Sequence, residues 1–253
     1  NLLILKIRYH LVQNRYITCL VDIKFSCYHR PYAMIHPDSC NIVSVSEGMI
    51  SGITGRMIHL SSSDISVDFE NLYFNDSEIG EFINASREIG AVEGVTNVWP
   101  EIQSVALACG KNYRSGAFVR GVTKDVFENN VHFKNLFKVT EGELSLSDAK
   151  SIIIGDKLSH DLDVHPGDSI RIITVDARRK AFVPKSSSFV VTAVISSGYQ
   201  ELDALWAFIP LESAHLALSK SSRTYRIGVE TGETFSPRLI DIRMNLREQL
   251  DKK

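Results

Sequence analysis

The sequence predicts a two-lobed α+β domain in which a β-rich block is inserted into a lobe built from both ends of the chain. Three observations carry that prediction. Residues 65–108 read as strand, helix, strand; residues 151–210 read as short strands separated by turns and brief helices; residues 225–250 return to a strand and a helix.

Each element has a local reason. Residues 1–17 mix Leu and Ile with Arg8-Tyr9-His10 and Asn14-Arg15-Tyr16 at a spacing compatible with a helix. Residues 18–41 fit neither a helical nor a strand period, and they hold Cys, His, Pro and Tyr without order. Met49, Ile50, Ile53, Met57, Ile58 and Leu60 then carry a helical apolar stripe. Ile65, Val67 and Phe69 alternate with Ser66 and Asp68, the pattern of a half-buried strand. Asn75-Asp76-Ser77-Glu78 supplies a cap and first-turn acid for a helix with Ile79, Phe82, Ile83 and Ile89 on its apolar face, ending near Gly90 or Gly94. Residues 95–108 and 116–122 read as two strands around a turn at Gly110-Lys111-Asn112-Tyr113, and a mixed segment of short helices follows.

From Ser151 the text is β-rich. Ser151-Ile152-Ile153-Ile154-Gly155 is a short buried strand leading into a polar helix. His165-Pro166-Gly167-Asp168 is a reverse turn, because Pro presets φ and Gly supplies a positive one. Residues 169–175 and 189–196 form a hairpin joined by the long loop 176–188. Asp203 is read as a turn residue before a strand at 205–209, and Pro210 opens a helix in its first turn. Residues 225–230 are a last strand. Leu239, Ile242, Leu246 and Leu250 mark a closing helix over 234–250.

Composition narrows the function classes. A hydrophobic fraction of 44% supports a real core, and a net charge of −2 provides no global field for nucleic acid; no basic stripe interleaved with aromatics occurs. No run of about eighteen apolar residues is present, so the sequence as written predicts no transmembrane helix. It has no signal-peptide pattern and no initiator Met, and is read as a fragment. Cys19, Cys27, His29, His36 and Cys40 lack the close C-x₂₋₄-C pairing that lets one turn present two zinc ligands, so no metal is predicted. Cys109 lies in an apolar run and reads as core. Gly48-Met49-Ile50-Ser51-Gly52 matches a small-xxx-small helix contact, but Glu47, Arg56 and His59 flank it, and tight helix packing is the reading. No P-loop, G-x-G-x-x-G or G-x-S-x-G motif occurs. Ser159-His160-Asp161 are consecutive on one helix and cannot converge as a triad. No enzymatic activity, catalytic residue or cofactor is predicted.

The interaction candidate is the loop between the two hairpin strands. Arg178, Arg179, Lys180 and Lys185 supply four cations, Phe182 and Val183 an apolar pair, and Pro184 stiffness. Basic side chains steer an acidic partner and a buried aromatic anchors it.

In order and spacing, Ser44-Val45-Ser46-Glu47-Gly48-Met49, residues 59–67, Gly116-Ala117-Phe118-Val119-Arg120-Gly121-Val122, Gly142-Glu143-Leu144, residues 151–173 and Trp206-Ala207-Phe208-Ile209-Pro210-Leu211-Glu212-Ser213-Ala214 form a set. Over residues 42–250 that set resembles the LolC/LolE-type lipoprotein-releasing ABC transporter permeases. More broadly it looks like permeases of the FtsX-like superfamily with a MacB-like extracytoplasmic core domain. The resemblance implies a domain facing the periplasm from the bacterial inner membrane. Residues 42–150 would begin a Porter-like lobe that residues 225–253 close, and residues 151–224 would be a Sabre-like lobe. Residues 1–41 would be the cytoplasmic and first-transmembrane region, whose polar stretch 18–41 is then read as degraded or frame-altered.

The implied partners are a cognate ATPase subunit, a second permease subunit, a lipoprotein substrate and a periplasmic lipoprotein carrier. The same resemblance matches the hairpin loop to a carrier-gripping hook and Arg171 to one position of a basic pad at its base. Ser187 and Ser188 stand where the carrier-docking member has polar and basic residues, and residues 197–214 look more like its partner subunit. Efflux, or transmission of motion to an envelope partner, is the alternative.

Overall fold

The computed structural model describes residues 5–8, 63–69, 79–129, 136–176, 183–231, 241, 242 and 244–246. In chain order the elements are β1 (Leu5–Arg8), β2 (Ile65–Phe69), α1 (Ile79–Gly90), β3 (Asn97–Cys109), β4 (Arg114–Val122), α2 (Val126–Asn129) and β5 (Lys138–Gly142). They continue with β6 (Ser151–Gly155), α3 (Asp156–Leu162), β7 (Ser169–Asp176), β8 (Val183–Ser196), α4 (Gln200–Asp203), β9 (Trp206–Pro210), α5 (Leu211–Ala217) and β10 (Thr224–Glu230). The α+β class holds. Among the described residues no helix is long and apolar enough to cross a membrane.

Both chain ends meet in one sheet: β10 lies between β2 and β3, antiparallel to each. Six strands of the sheet close on themselves, with β5 at an edge against β8. β3 pairs with β4, β4 with β9, β9 with β6, β6 with β8, β8 with β7, and β7 returns to β3. The last link is short, Leu107–Cys109 against Ile173–Arg171, yet it completes a six-stranded ring. Closure removes strand edges that would otherwise pair with another chain. The inserted β-rich block and the lobe around it therefore share one hydrogen-bonded sheet.

The ring is narrow, and its filling shows it. Ala106 and Ala108 of β3, Ala117 of β4 and Ala207 of β9 are buried in the same cluster as Ile152, Ile154, Ile170, Ile172, Phe189 and Val191. Small residues on some strands face branched or aromatic ones on others, as a tapered barrel interior requires. Leu158 and Leu162 of α3 and Leu211 and Ala214 of α5 join this cluster. α5 approaches closely because β4 offers Gly121, where a Cβ would stand 2.2 Å from the Cβ of Ala214.

A second cluster lies on the outer side of β9, β6 and β8. Phe127, Phe137 and Leu146, from the connection after β4, pack on Trp206, Phe208, Ile153 and Ile195. Edge-to-face ring pairs at 5.5 Å (Phe127–Phe208) and 5.7 Å (Phe137–Trp206) set that packing.

Several sequence expectations change. Leu5–Arg8, expected as helix, is a strand antiparallel to β2, in keeping with its two-residue alternation of Leu5 and Ile7 with Lys6 and Arg8. β2 is buried on both faces, not half-buried, since Ser66 and Asp68 are covered as well. The hairpin loop is shorter than 176–188: β7 runs to Asp176 and β8 starts at Val183, leaving 177–182 between them. Pro210 ends β9 and sits at the N-cap of α5 instead of in its first turn. Asp203 is the last residue of α4, directly before the turn at 204–205; it is buried and accepts hydrogen bonds from Ser196 Oγ at 2.8 Å and from Ser197 N and Oγ at 2.8 and 2.7 Å. Of the closing helix, residues 241, 242 and 244–246 are described as helical, with Ile242 and Leu246 buried. Residues 9–62, including the Cys and His residues weighed for zinc, lie outside the described residues.

Candidate partner-binding face

The hairpin named in the sequence is held by its stem. Eight register pairs run from Ser169 opposite Val190 to Asp176 opposite Val183. Alternation along β7 buries Ile170, Ile172 and Thr174 and turns Arg171 and Val175 outward, with Ile173 partly exposed between them. Arg171 is exposed on the stem, opposite Ser188 on one side and Cys109 on the other. Pro184 is exposed opposite Val175. Arg178, Arg179, Lys180 and Phe182 lie outside the described residues, and Val183 is placed by its backbone as the first residue of β8.

Lys185 is engaged within the chain. Its ammonium donates to the carbonyl of Leu216 and, at 3.3 Å, to that of Leu218, both at the C-terminal end of α5. The last carbonyls of a helix have no partner within it and carry partial negative charge, so a lysine there is favourable. Beside it, Thr174 Oγ1 accepts the Ser219 N–H at 2.9 Å. The stem is thereby fastened to α5.

The sequence also missed a buried ionic ladder. On one face of the sheet Arg226 of β10 lies in register between Asp68 of β2 and Glu101 of β3. Arg226 grips Asp68 through Nε–Oδ1 at 2.6 Å and Nη2–Oδ2 at 3.2 Å. One strand further, Arg120 of β4 is bidentate to Glu101, with Nη2–Oε2 at 3.0 Å. Gln103 adds a bond to Glu101 at 3.1 Å. The Arg120 guanidinium also lies over Trp206 and Phe208, 5.3 and 5.2 Å from the ring centroids. Burial pushes the Glu101 carboxyl up, but the charge and hydrogen bonds of Arg120, with Gln103 and Arg226, hold it below its ordinary value. The signal was charged residues in mid-strand among apolar ones; local pattern could not supply their partners.

A polar hollow of about 600 Å³ is lined by Tyr113, Glu141, Asp156, Ser159, His160, Asp161, Asp163 and His165. His165 Nδ1 and Glu141 Oε2 are 2.9 Å apart, and that hydrogen bond, with the carboxylate charge, raises the imidazole pKa. The turn at 165–168 forms as expected: Gly167 takes φ +96° and the Asp168 carboxylate accepts the His165 N–H. Ser159 points away from His160 and Asp161, whose Nδ1 and Oδ1 lie 3.8 Å apart. Ser159 Oγ donates to the Val164 carbonyl, His160 is exposed, and Asp161 pairs with Lys157.

The family described as MacB-like periplasmic core domain matches residues 41–244. Among solved structures, the periplasmic region of MacB from Actinobacillus actinomycetemcomitans is 14% identical, with a TM-score of 0.43 over 67% of this chain and 72% of that one. The extracellular domain of the noncanonic ABC-type transporter YknZ from Gram-positive bacteria is 15% identical, with a TM-score of 0.45 over 66% of this chain and 82% of that one. No curated protein matches.

Proposed function

We propose, from the premise that this chain belongs to the MacB-like periplasmic core domains, that it serves lipoprotein release. The chain is a MacB-like periplasmic core domain of the ABC transporter permease kind, and a lipoprotein substrate with a soluble carrier extends that premise. In that reading a separate cytoplasmic ATPase subunit drives the membrane helices of a complex that includes a second permease subunit. The domain moves with them and acts mechanically, without chemistry of its own. A lipid-anchored protein is handed to a soluble periplasmic carrier, and the hairpin contacts that carrier.

The observation that supports this reading is the β7–β8 hairpin. A stem of eight register pairs, fastened to α5, presents a six-residue connection, Ala177-Arg178-Arg179-Lys180-Ala181-Phe182, with Arg171 exposed on the stem. A rigid stem lowers the ordering cost of binding, and a basic tip with one aromatic fits an acidic partner with an apolar pocket. The test is binding of a purified periplasmic lipoprotein carrier to the 253-residue chain. Phe182→Asp is expected to weaken Kd by about ten-fold or more; unchanged affinity sinks the carrier reading.

Efflux, or transmission of motion to an envelope partner, is the second reading. It is favoured by Lys185, whose ammonium is held by α5, and by serines at 187 and 188, which leave the stem with less basic character than a pad would have. A neighbouring gene for an adaptor in place of a carrier would support it.

A further inference from the structure

The outer face of the ring is covered over β9, β6 and β8 by the aromatic connection; where β4, β3 and β7 cross it, several apolar side chains among the described residues are open to solvent. Val105 is 73% exposed, and Leu107 and Val175 are 40% exposed each. Phe118 and Ile173 are partly exposed. These side chains are neighbours: Val105 is opposite Phe118 and Leu107 is opposite Ile173, while Val175 follows Ile173 on the same side of β7. An apolar strip therefore runs from β4 across β3 and up the hairpin stem. Scattered exposed apolar residues need no explanation, but a contiguous strip of five does.

Charge and shape narrow its occupant. Arg114 and Arg171, both exposed, border the strip. Asp68 and Glu101, on neighbouring strands of the same sheet, are buried and paired with Arg226 and Arg120, so they do not offset that positive border. At the Val105–Phe118 end the strip opens into a recess of about 320 Å³, whose other walls are polar: Gln103, Ser104, Ser222, Thr224 and the paired Asp68 and Arg226. A recess of that size admits a large side chain with a polar tip. We propose that this strip is a second docking surface, for a protein partner that presents apolar residues flanked by Asp or Glu, one of the apolar residues seated in the recess. The proposal rests on the carrier-docking reading for the partner's identity and adds a surface that the hairpin tip does not supply.

The experiment titrates the 253-residue chain with a purified periplasmic lipoprotein carrier and compares Val105→Asp, Val105→Thr and Phe182→Asp. Residue 105 is solvent-facing, so melting curves should be unchanged, and Val105→Thr keeps the β-branched shape if the charge proves disruptive. The expected result is a Kd about ten-fold or more weaker for Val105→Asp, a smaller loss for Val105→Thr, and an association rate that falls with added salt. If Phe182→Asp abolishes binding while both residue-105 variants bind as the parent does, the strip is overturned and the hairpin reading stands. If the residue-105 variants lose affinity and Phe182→Asp does not, the strip stands and the tip falls. If none of the three changes affinity, or if the parent does not bind, both readings fall. A parent chain that self-associates in light scattering and becomes monomeric as Val105→Asp assigns the strip to a second copy, which also overturns the proposal.

Discussion

Arg120→Leu tests whether the ionic ladder is a structural requirement of this sheet. Glu101 is 1% exposed and Arg120 is 3% exposed, so truncating the arginine leaves a carboxylate in the interior with Gln103 as its remaining close donor. Breaking a buried pair from one side costs about 3–5 kcal/mol, because the desolvation penalty of the survivor is no longer offset. The lost stacking of the guanidinium over Trp206 and Phe208 adds to it, while the Gln103 bond softens it. For a domain of this size about 1 kcal/mol moves Tm by roughly 2–4 °C, so a fall of about 6–20 °C is expected at pH 7. Circular dichroism melts of parent and variant read it directly.

The sign of the pH dependence follows from Glu101. Its folded pKa lies below the ordinary 4.5, so its contribution in the parent is present above that value and lost as pH falls through the folded one. Without Arg120, burial dominates and raises the carboxyl pKa, so the folded variant takes up a proton. The gap between parent and variant should narrow as pH drops from 7 towards about 4.5. Glu101→Leu with Arg120→Leu removes both charges and should recover most of the loss. A single variant that melts within about 2 °C of the parent at pH 7, or a double variant no better than the single, would refute the reasoning.

Two further outcomes follow from close contacts. Gly121→Ala places a methyl 2.2 Å from the Cβ of Ala214 and should destabilise by about 1–3 kcal/mol in urea unfolding; Ala214→Gly in the same chain should restore part of it, and an additive double variant would disprove the contact. His165 should titrate above 6.5 by NMR, with Glu141→Gln moving it back down. Its raised value means that its stabilising contribution is complete below about 6.5 and lost as pH rises through the folded pKa. An unmoved titration in Glu141→Gln would show that the carboxylate is not the cause.

Much of the fold was legible because its signals are local. Ser151–Gly155 is a run of branched residues ended by glycine, Pro166-Gly167 specifies a turn, and the 79–89 stripe specifies a helix; α1, β6 and β7 appear where these signals put them. The hairpin was legible as two alternating strands, though a loop rich in Lys and Ser hid how far β8 reaches back towards its tip. The binding face was half legible. Its cations are visible in the sequence, but the task of Lys185 is set by α5 carbonyls 31 and 33 residues away.

The chain alone therefore determined the elements, since helical and strand periods, caps and turns act over a few residues. Tertiary structure decided which side of each strand is inside. Alternation along β3 sets Val105 and Leu107 against Ala106 and Ala108 and would by hydrophobicity put the larger pair in the core. The ring, closed by Leu107 meeting Ile173, leaves room only for the alanines and turns the larger pair to solvent. The same long-range pairing brings Asp68 to Arg226 and lets charges survive burial, because each finds its partner 158 residues along the chain.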